Sequence, residues 1–297
     1  MSQDRPEELS FPHYTTLNVS IDNAIAHVRL SRGDRMNTMI PAFWHEVPDA
    51  FRRIDESGEV RVIVLSAEGK HFSAGMDLSV FERMAEDFSG EPARRAERMR
   101  RLVLELQDSF NAIEQVRVPV LAAVQGAAIG GAVDMLCTCD SRYCTDDAYF
   151  SIKETQIGMT ADLGTLQRLP GLMPQGLVKE LAYTGRAMDA GEAAQSGFIN
   201  RVFTDQAAML EGVMAVAKNI AAQSPMAVTG TKQMINYSRD HSIADSLDYM
   251  ATWQAGMFQL PDVQAAMTAQ KTRQAPEFYN LHDKKSRMQK MIEQDQK

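Results

Sequence analysis

Three carboxylic acids, Asp134, Glu154 and Asp162, stand where proton-transfer chemistry is possible. Asp134 is the one charged side chain in the apolar, small-residue run VPVLAAVQGAAIGGAVDMLCTC (118–139). Apolar surroundings disfavour ionisation and raise a carboxyl pKa, the tuning that acid–base work near neutral pH requires. Glu154 and Asp162 follow in FSIKETQIGMTADLGTLQRLP (150–170). Taken singly, each has a plain structural role: Asp134 as a partner for a helix start, Glu154 in a surface pair with Lys153, and Asp162 as N-cap of a helix over 163–169. Sharing one pocket, they become an acid–base set. No nucleophile or metal motif competes, since the chain has no G-x-S-x-G and no H-x-x-x-H, and its six histidines are scattered.

Two glycine-bearing loops could serve such a set. FSAGMD (72–77) follows the apolar run VRVIVL (60–65), and GAAIGG (126–131) follows VPVLAAV (118–124). Backbone N–H groups at helix starts lack an intrahelical partner, and two of them aimed at one point hold an oxyanion. Ordinary strand-to-helix connections have the same composition. The spacing of GAAIGG does not fit a dinucleotide-binding G-x-G-x-x-G.

The elements that must position these residues read as an α/β structure. Residues 14–30 alternate around Asp22-Asn23, a hairpin signal. A helix begins near Pro41, and Pro48 within it predicts a kink or split. The runs 60–65 and 118–124 are buried strands, each followed by a loop and a helical pattern, which points to mainly parallel pairing. Short strands are expected at 141–145 and 149–152. Beyond about residue 206 the strand signals give way to amphipathic helices at 209–222, 225–237 and 243–258, with another from Leu260. The chain therefore divides into a core at 14–205, a helical region at 206–273, and flexible tails at 1–13 and 274–297.

Composition narrows the function classes. The 297 residues carry 31 basic and 39 acidic side chains, a net charge of −8, which disfavours nucleic acid and anionic membrane as partners. The one dense basic run, Arg94 to Arg101, is interleaved with Glu97 and reads as a solvated helix face. Cys137, Cys139 and Cys144 suit a reducing compartment and buried packing better than disulfides or a metal site. No apolar run reaches membrane-spanning length, and the N-terminal MSQDRPEEL has neither signal-peptide nor transit-peptide character. These features predict a cytoplasmic protein.

At LSRGDRMNTM (30–39), GKHFSAGMDL (69–78), VQGAAIGGAVDMLCTCD (124–140) and GTLQRLP (164–170) the chain resembles the crotonase family, the enoyl-CoA hydratase/isomerase superfamily. The likeness extends from about Val28 to Phe203. It implies a crotonase-like spiral of β-β-α turns with a C-terminal all-helical oligomerisation region, assembly as a homotrimer or homohexamer, an acyl-CoA substrate, and no cofactor or metal. It places the oxyanion donors on the backbone N–H of Met76 and Gly131, with Ala74, Gly75, Asp77 and Leu78 around the substrate. Met36 stands where an arginine is common, which leaves Arg35 for a CoA phosphate, and Ala132 replaces a usual third glycine.

Hydratases of the family carry glutamates at the positions of Asp134 and Glu154 and no acid at Asp162. The Asp/Glu/Asp pattern here is instead similar to the branch that moves a 3,5-diene into 2,4-conjugation, a step of fatty acid β-oxidation. The resemblance then implies Glu154 at C2, Asp162 at C6, and Asp134 tuning the pair. The alternatives are an enoyl-CoA hydratase, a Δ3,Δ2-enoyl-CoA isomerase, or a non-catalytic acyl-CoA- or RNA-binding protein.

Overall fold

The computed structural model of the protein describes residues 9–84, 90–258, 260–284 and 291. Near the N-terminus, β1 (Leu17–Asp22) and β2 (Ile25–Leu30) pair antiparallel. Asn23 and Ala24 join them with φ of 49° and 61°, the left-handed pair that a two-residue hairpin turn of matching twist needs.

α1 (Phe43–Ser57) continues through Pro48 without the predicted break. Proline cannot donate to the carbonyl four residues back, that of Trp44. The Ser109 hydroxyl donates to that carbonyl instead, at 2.8 Å, so the orphaned acceptor is satisfied from a neighbouring helix.

The chain then runs through β3 (Val62–Ala67), α2 (Leu78–Met84), α3 (Pro92–Gln115), β4 (Val120–Val124), β5 (Ala127–Ile129), α4 (Gly131–Cys137), β6 (Ser141–Thr145) and β7 (Tyr149–Ser151). A 3-10 turn (Glu154–Ile157), α5 (Thr165–Arg168), α6 (Gln175–Thr184), β8 (Met188–Asp189), α7 (Ala190–Gln195) and β9 (Arg201–Phe203) complete the strand-bearing part. α8 (Gln206–Ala221), α9 (Pro225–Tyr237), α10 (Ile243–Met257) and α11 (Leu260–Thr272) follow.

Six strands form one sheet in the order β1-β2-β3-β4-β6-β9, and three form another in the order β5-β7-β8. From β2 to β9 the large sheet is parallel throughout. The chain crosses from one sheet to the other at Gly126, between β4 and β5. Its φ is 55°, and a Cβ there would lie 2.4 Å from the Lys70 carbonyl oxygen, so both the bend and the close approach require glycine. Two turns, β4-β5-α4 and β6-β7 with the 3-10 turn and α5, supply a strand to each sheet and then helix, the β-β-α spiral.

Burial on both faces explains the unbroken apolar runs. Ile63, Leu65 and Ala67 of β3, with Val120, Ala122 and Val124 of β4, face a core shared with α1, α3 and α4. Val62 and Val64, with Leu121 and Ala123, face Met209, Val213 and Ala217 of α8. Strands covered on both sides lose the polar alternation of a half-exposed sheet. α8 is thus a cover for the sheet, whereas α10 and α11 bury no residue.

The expectation of a flexible tail beyond residue 273 does not hold for 278–284. Arg61 donates to the Phe278 carbonyl (2.7 Å) and to Asn280 Oδ1 (2.9 Å), and Arg117 donates to the His282 carbonyl (3.0 Å). Leu281 is buried, and Lys284 pairs with Asp55. The polar composition of the segment conceals these anchors because the partners lie more than 150 residues away.

Candidate active site

The two glycine-bearing loops lie side by side. Ser73 and Ala128 form a parallel bridge, in which Ser73 donates to the Ala127 carbonyl and Ile129 donates to that of Ser73, both at 3.0 Å. His71 Nδ1 accepts from the Ala127 N–H at 3.1 Å. Behind them, the Gln125 amide donates to the Ala67 and Gly69 carbonyls, and the Asn37 amide to those of Glu68 and His71. Two buried amides therefore fix the course of 67–71 before the glycine is reached.

Gly75 makes the close approach possible. Its φ is 79°, and a Cβ there would sit 2.5 Å from the Ile129 oxygen and 3.3 Å from the Gly131 nitrogen. Met39 donates to the Gly75 carbonyl and accepts from the Asp77 N–H. That pattern leaves the Met76 N–H between them without a backbone acceptor among the described residues, close to Gly131, whose N–H opens α4 and has no intrahelical partner.

Asp134 projects from α4 and is 1% exposed. Burial pushes its pKa up to about 6, and the Asp162 charge adds to the rise, while hydrogen bonds from Thr165 and the charge of Arg168 oppose it. Glu154, half-buried at the start of the 3-10 turn, is pushed up to about 7, first by burial and then by the negative charges of Asp134 and Asp162. Its Oε2 is buried with no hydrogen-bond partner. Its Oε1 lies 3.1 Å from where a Cβ on Gly130 would stand, so the glycine at φ 56° clears space for this carboxyl. Asp162 is also half-buried, and burial raises its pKa. The three acids thus occupy one electrostatic neighbourhood beside the paired loops.

The structural roles open to each acid are resolved by these contacts. α5 has no side-chain cap from Asp162, and its N-cap position is Gly164. Asp134 Oδ1 takes the Thr165 N–H instead, at 2.6 Å, so Asp162 does not cap α5. Among the described residues Glu154 makes no ion pair with Lys153.

The surrounding positions differ in what holds them. Ala74 donates to the Met36 carbonyl at 2.9 Å. The Asp77 carboxylate accepts from the Thr38 hydroxyl and from the Ser79 hydroxyl and N–H, which hold its pKa down at about 2; it is committed to the start of α2. Leu78 is exposed, and Arg35 stands 3.7 Å from Asp34 on an exposed 3-10 turn. The sequence alone did not single out Thr165, which ties α4 to the loop that carries Asp162. A hydroxyl residue opening a four-residue helix gives little signal. The buried thiols of Cys137, Cys139 and Cys144 are all pushed up by burial, which keeps them unreactive.

A family model for enoyl-CoA hydratase/isomerase matches residues 20–280, and the chain belongs to that family. It is 43% identical over 279 residues to the mouse mitochondrial Delta(3,5)-Delta(2,4)-dienoyl-CoA isomerase, covering 92% of this chain and 85% of that one. It is 38% identical over 278 residues to the peroxisomal Delta(3,5)-Delta(2,4)-dienoyl-CoA isomerase of Arabidopsis thaliana, covering 92% and 100%. Among solved structures, an enoyl-CoA hydratase from Bacillus anthracis matches with TM-score 0.80 at 27% identity, covering 89% of this chain and 99% of that one.

These relatives overturn the prediction of a cytoplasmic protein, since their names place them in mitochondria or peroxisomes. The features it rested on do not separate these compartments, since buried free cysteines and the lack of a membrane-length run suit any reducing interior. No helix among the described residues is long and apolar enough to cross a membrane.

Proposed function

We propose that this chain isomerises 3,5-dienoyl-CoA to 2,4-dienoyl-CoA in fatty acid β-oxidation. The observation that carries the reading is the coupling of three carboxyls, two of them with pKa values raised to about 6 and about 7, beside two free backbone N–H groups. The similarity to dienoyl-CoA isomerases over most of the chain supports it.

In a 3,5-dienoyl thioester the C2 protons lie between the carbonyl and the diene. Glu154 takes one as a base, and the charge spreads from the thioester oxygen along the chain as a dienolate. The Met76 and Gly131 N–H groups receive that oxygen, each contributing about 3–4 kcal/mol if comparable oxyanion donors are a guide. Asp162 returns a proton to C6, which forms the conjugated product. Glu154 then holds the proton that Asp162 has lost, and exchange between the two carboxyls or with solvent restores the starting state. C2 and C6 are too far apart for one small carboxyl to serve both easily, which is why two are used. Asp134 holds α5 through Thr165 and raises the Glu154 pKa. Arg35 takes a CoA phosphate, and residues 74–78 enclose the thioester end.

Residues 14–205 provide the catalytic core in this reading. The helical region supplies assembly as a homotrimer or a pair of trimers. α10 and α11 support that role, because they bury nothing and expose Ile243, Leu247, Leu260 and Met267. Light scattering on purified protein tests this, and a monomer at micromolar concentration would contradict it.

The activity test is spectroscopic. Conjugation of a 3,5-dienoyl-CoA raises near-UV absorbance, whereas hydration of a 2-enoyl-CoA lowers it. Brisk hydration of crotonyl-CoA with the diene left untouched would replace the isomerase reading with a hydratase one.

A further inference from the structure

One face of α3 meets the loop that carries Asp162 at three places. Gln107 Nε2 donates to the Asp162 carbonyl at 2.6 Å. Four residues on, Asn111 Oδ1 accepts from Arg168 Nη2 at 2.7 Å. Three residues further, Glu114 Oε2 accepts from Arg168 Nε and Nη2 at 3.2 and 2.9 Å. Spacings of four and three put all three side chains on one helical face. Arg168 closes α5 and turns back on its own loop: a Cβ on Gly164 would lie 2.0 Å from its Nη1. The guanidinium therefore fills the space that a side chain at 164 would need, against a backbone at φ 128°. The turn between Asp162 and Thr165 is held at one end by Gln107 and at the other by Asp134, with the Arg168 guanidinium packed against it at Gly164.

We infer that Arg168, gripped by Asn111 and Glu114, is a positioning residue for Asp162, and that Gln107 anchors the other end of the same turn. The inference rests on the isomerase reading for its consequence in turnover, but its structural content is independent of substrate. Arg168 touches no reacting atom. It sets where the Asp162 carboxyl stands relative to Glu154, and a fixed geometry of this kind is lost in graded fashion when a support is removed. The planar fork matters as well as the charge. Lysine at 168 restores the charge but cannot bond Asn111 and Glu114 together while covering Gly164. Removing Arg168 leaves Glu114 paired with Arg239 at 2.5 Å, so the fold does not inherit an isolated buried charge.

The test compares Arg168→Met, Arg168→Lys and Gln107→Leu with the wild type, using 3,5-dienoyl-CoA turnover and amide hydrogen exchange. Arg168→Met is expected to lower kcat by about 100-fold, on the scale of a 1 Å misplacement, with KM changed by less than about threefold. Exchange should accelerate locally at Leu163 to Thr165, and Arg168→Lys should recover part of both effects. Gln107→Leu should reproduce the kcat loss more weakly, and it carries the same test if Arg168→Met does not fold. Wild-type kcat and exchange in both Arg168→Met and Gln107→Leu would overturn the inference. So would a loss of kcat and thermal stability together with no local change at 163–165. A wild-type protein inactive on the diene would remove the isomerase reading alone, because the exchange result would still decide whether Arg168 fixes the turn.

Discussion

Replacing Asp134 with asparagine removes a charge while keeping an oxygen that can accept the Thr165 N–H. α5 and the Asp162 loop should therefore stay in place, and the main consequence is electrostatic. In the wild type Glu154 is raised from 4.5 to about 7, with burial the largest cause and the Asp134 charge the second. Asp134 itself is pushed up to about 6, chiefly by burial, and its anion is the neighbour that raises Glu154. Loss of a neighbouring anion favours the ionised form of Glu154 and lowers its pKa. Since burial persists, the new value must fall between 4.5 and about 7, and each unit of movement corresponds to about 1.4 kcal/mol.

Turnover needs one of Glu154 and Asp162 ionised and the other protonated, so kcat/KM is bell-shaped in pH; the limb that Glu154 sets lies near pH 7 in the wild type and moves to lower pH in Asp134→Asn. The assay is kcat/KM for the diene from pH 5 to 9, normalised to each maximum. A midpoint that stays at about 7, or moves higher, would refute the coupling.

Two further substitutions probe the scaffold. Ser109→Ala removes the donor that satisfies the Trp44 carbonyl opposite Pro48, and should destabilise the fold by about 1–3 kcal/mol in denaturant melts; an unchanged midpoint would show that the Pro48 gap is filled another way. Gly75→Ala places a Cβ 2.5 Å from the Ile129 oxygen at a φ of 79°. It should cost at least about 1–2 kcal/mol in strain and depress kcat by separating Met76 from Gly131, and wild-type turnover in this variant would argue against the paired N–H site.

Much of this architecture is legible in the sequence where local pattern and tertiary demand agree. The hairpin at Asp22–Ile25 and the buried runs of β3 and β4 are examples, because period and turn chemistry suffice to define them. Legibility fails where a distant residue changes a local rule. Pro48 does not break α1, because Ser109 supplies what proline lacks. Asp162 resembles a cap, but a carboxyl 28 positions earlier takes that N–H. β5 is hidden in GAAIGG, since Ala127, Ala128 and Ile129 are too few to show a period and become a strand by pairing with β7. The polar segment 278–284 reads as loose until Arg61 and Arg117 are seen beside it. At the candidate site the residue types were legible, but what holds them was not, since Thr165, Gln107 and Arg168 act through contacts between separate elements.

The most direct test of the mechanism is the near-UV rate of 3,5-dienoyl-CoA conversion by wild type and by Asp162→Asn. The substitution keeps size and removes the carboxyl's ability to gain and lose a proton. The mechanism requires conversion by the wild type and a loss of about 100- to 10,000-fold in the variant, the range for a positioned acid–base group. Full turnover by Asp162→Asn would contradict the assignment of Asp162 as a proton carrier.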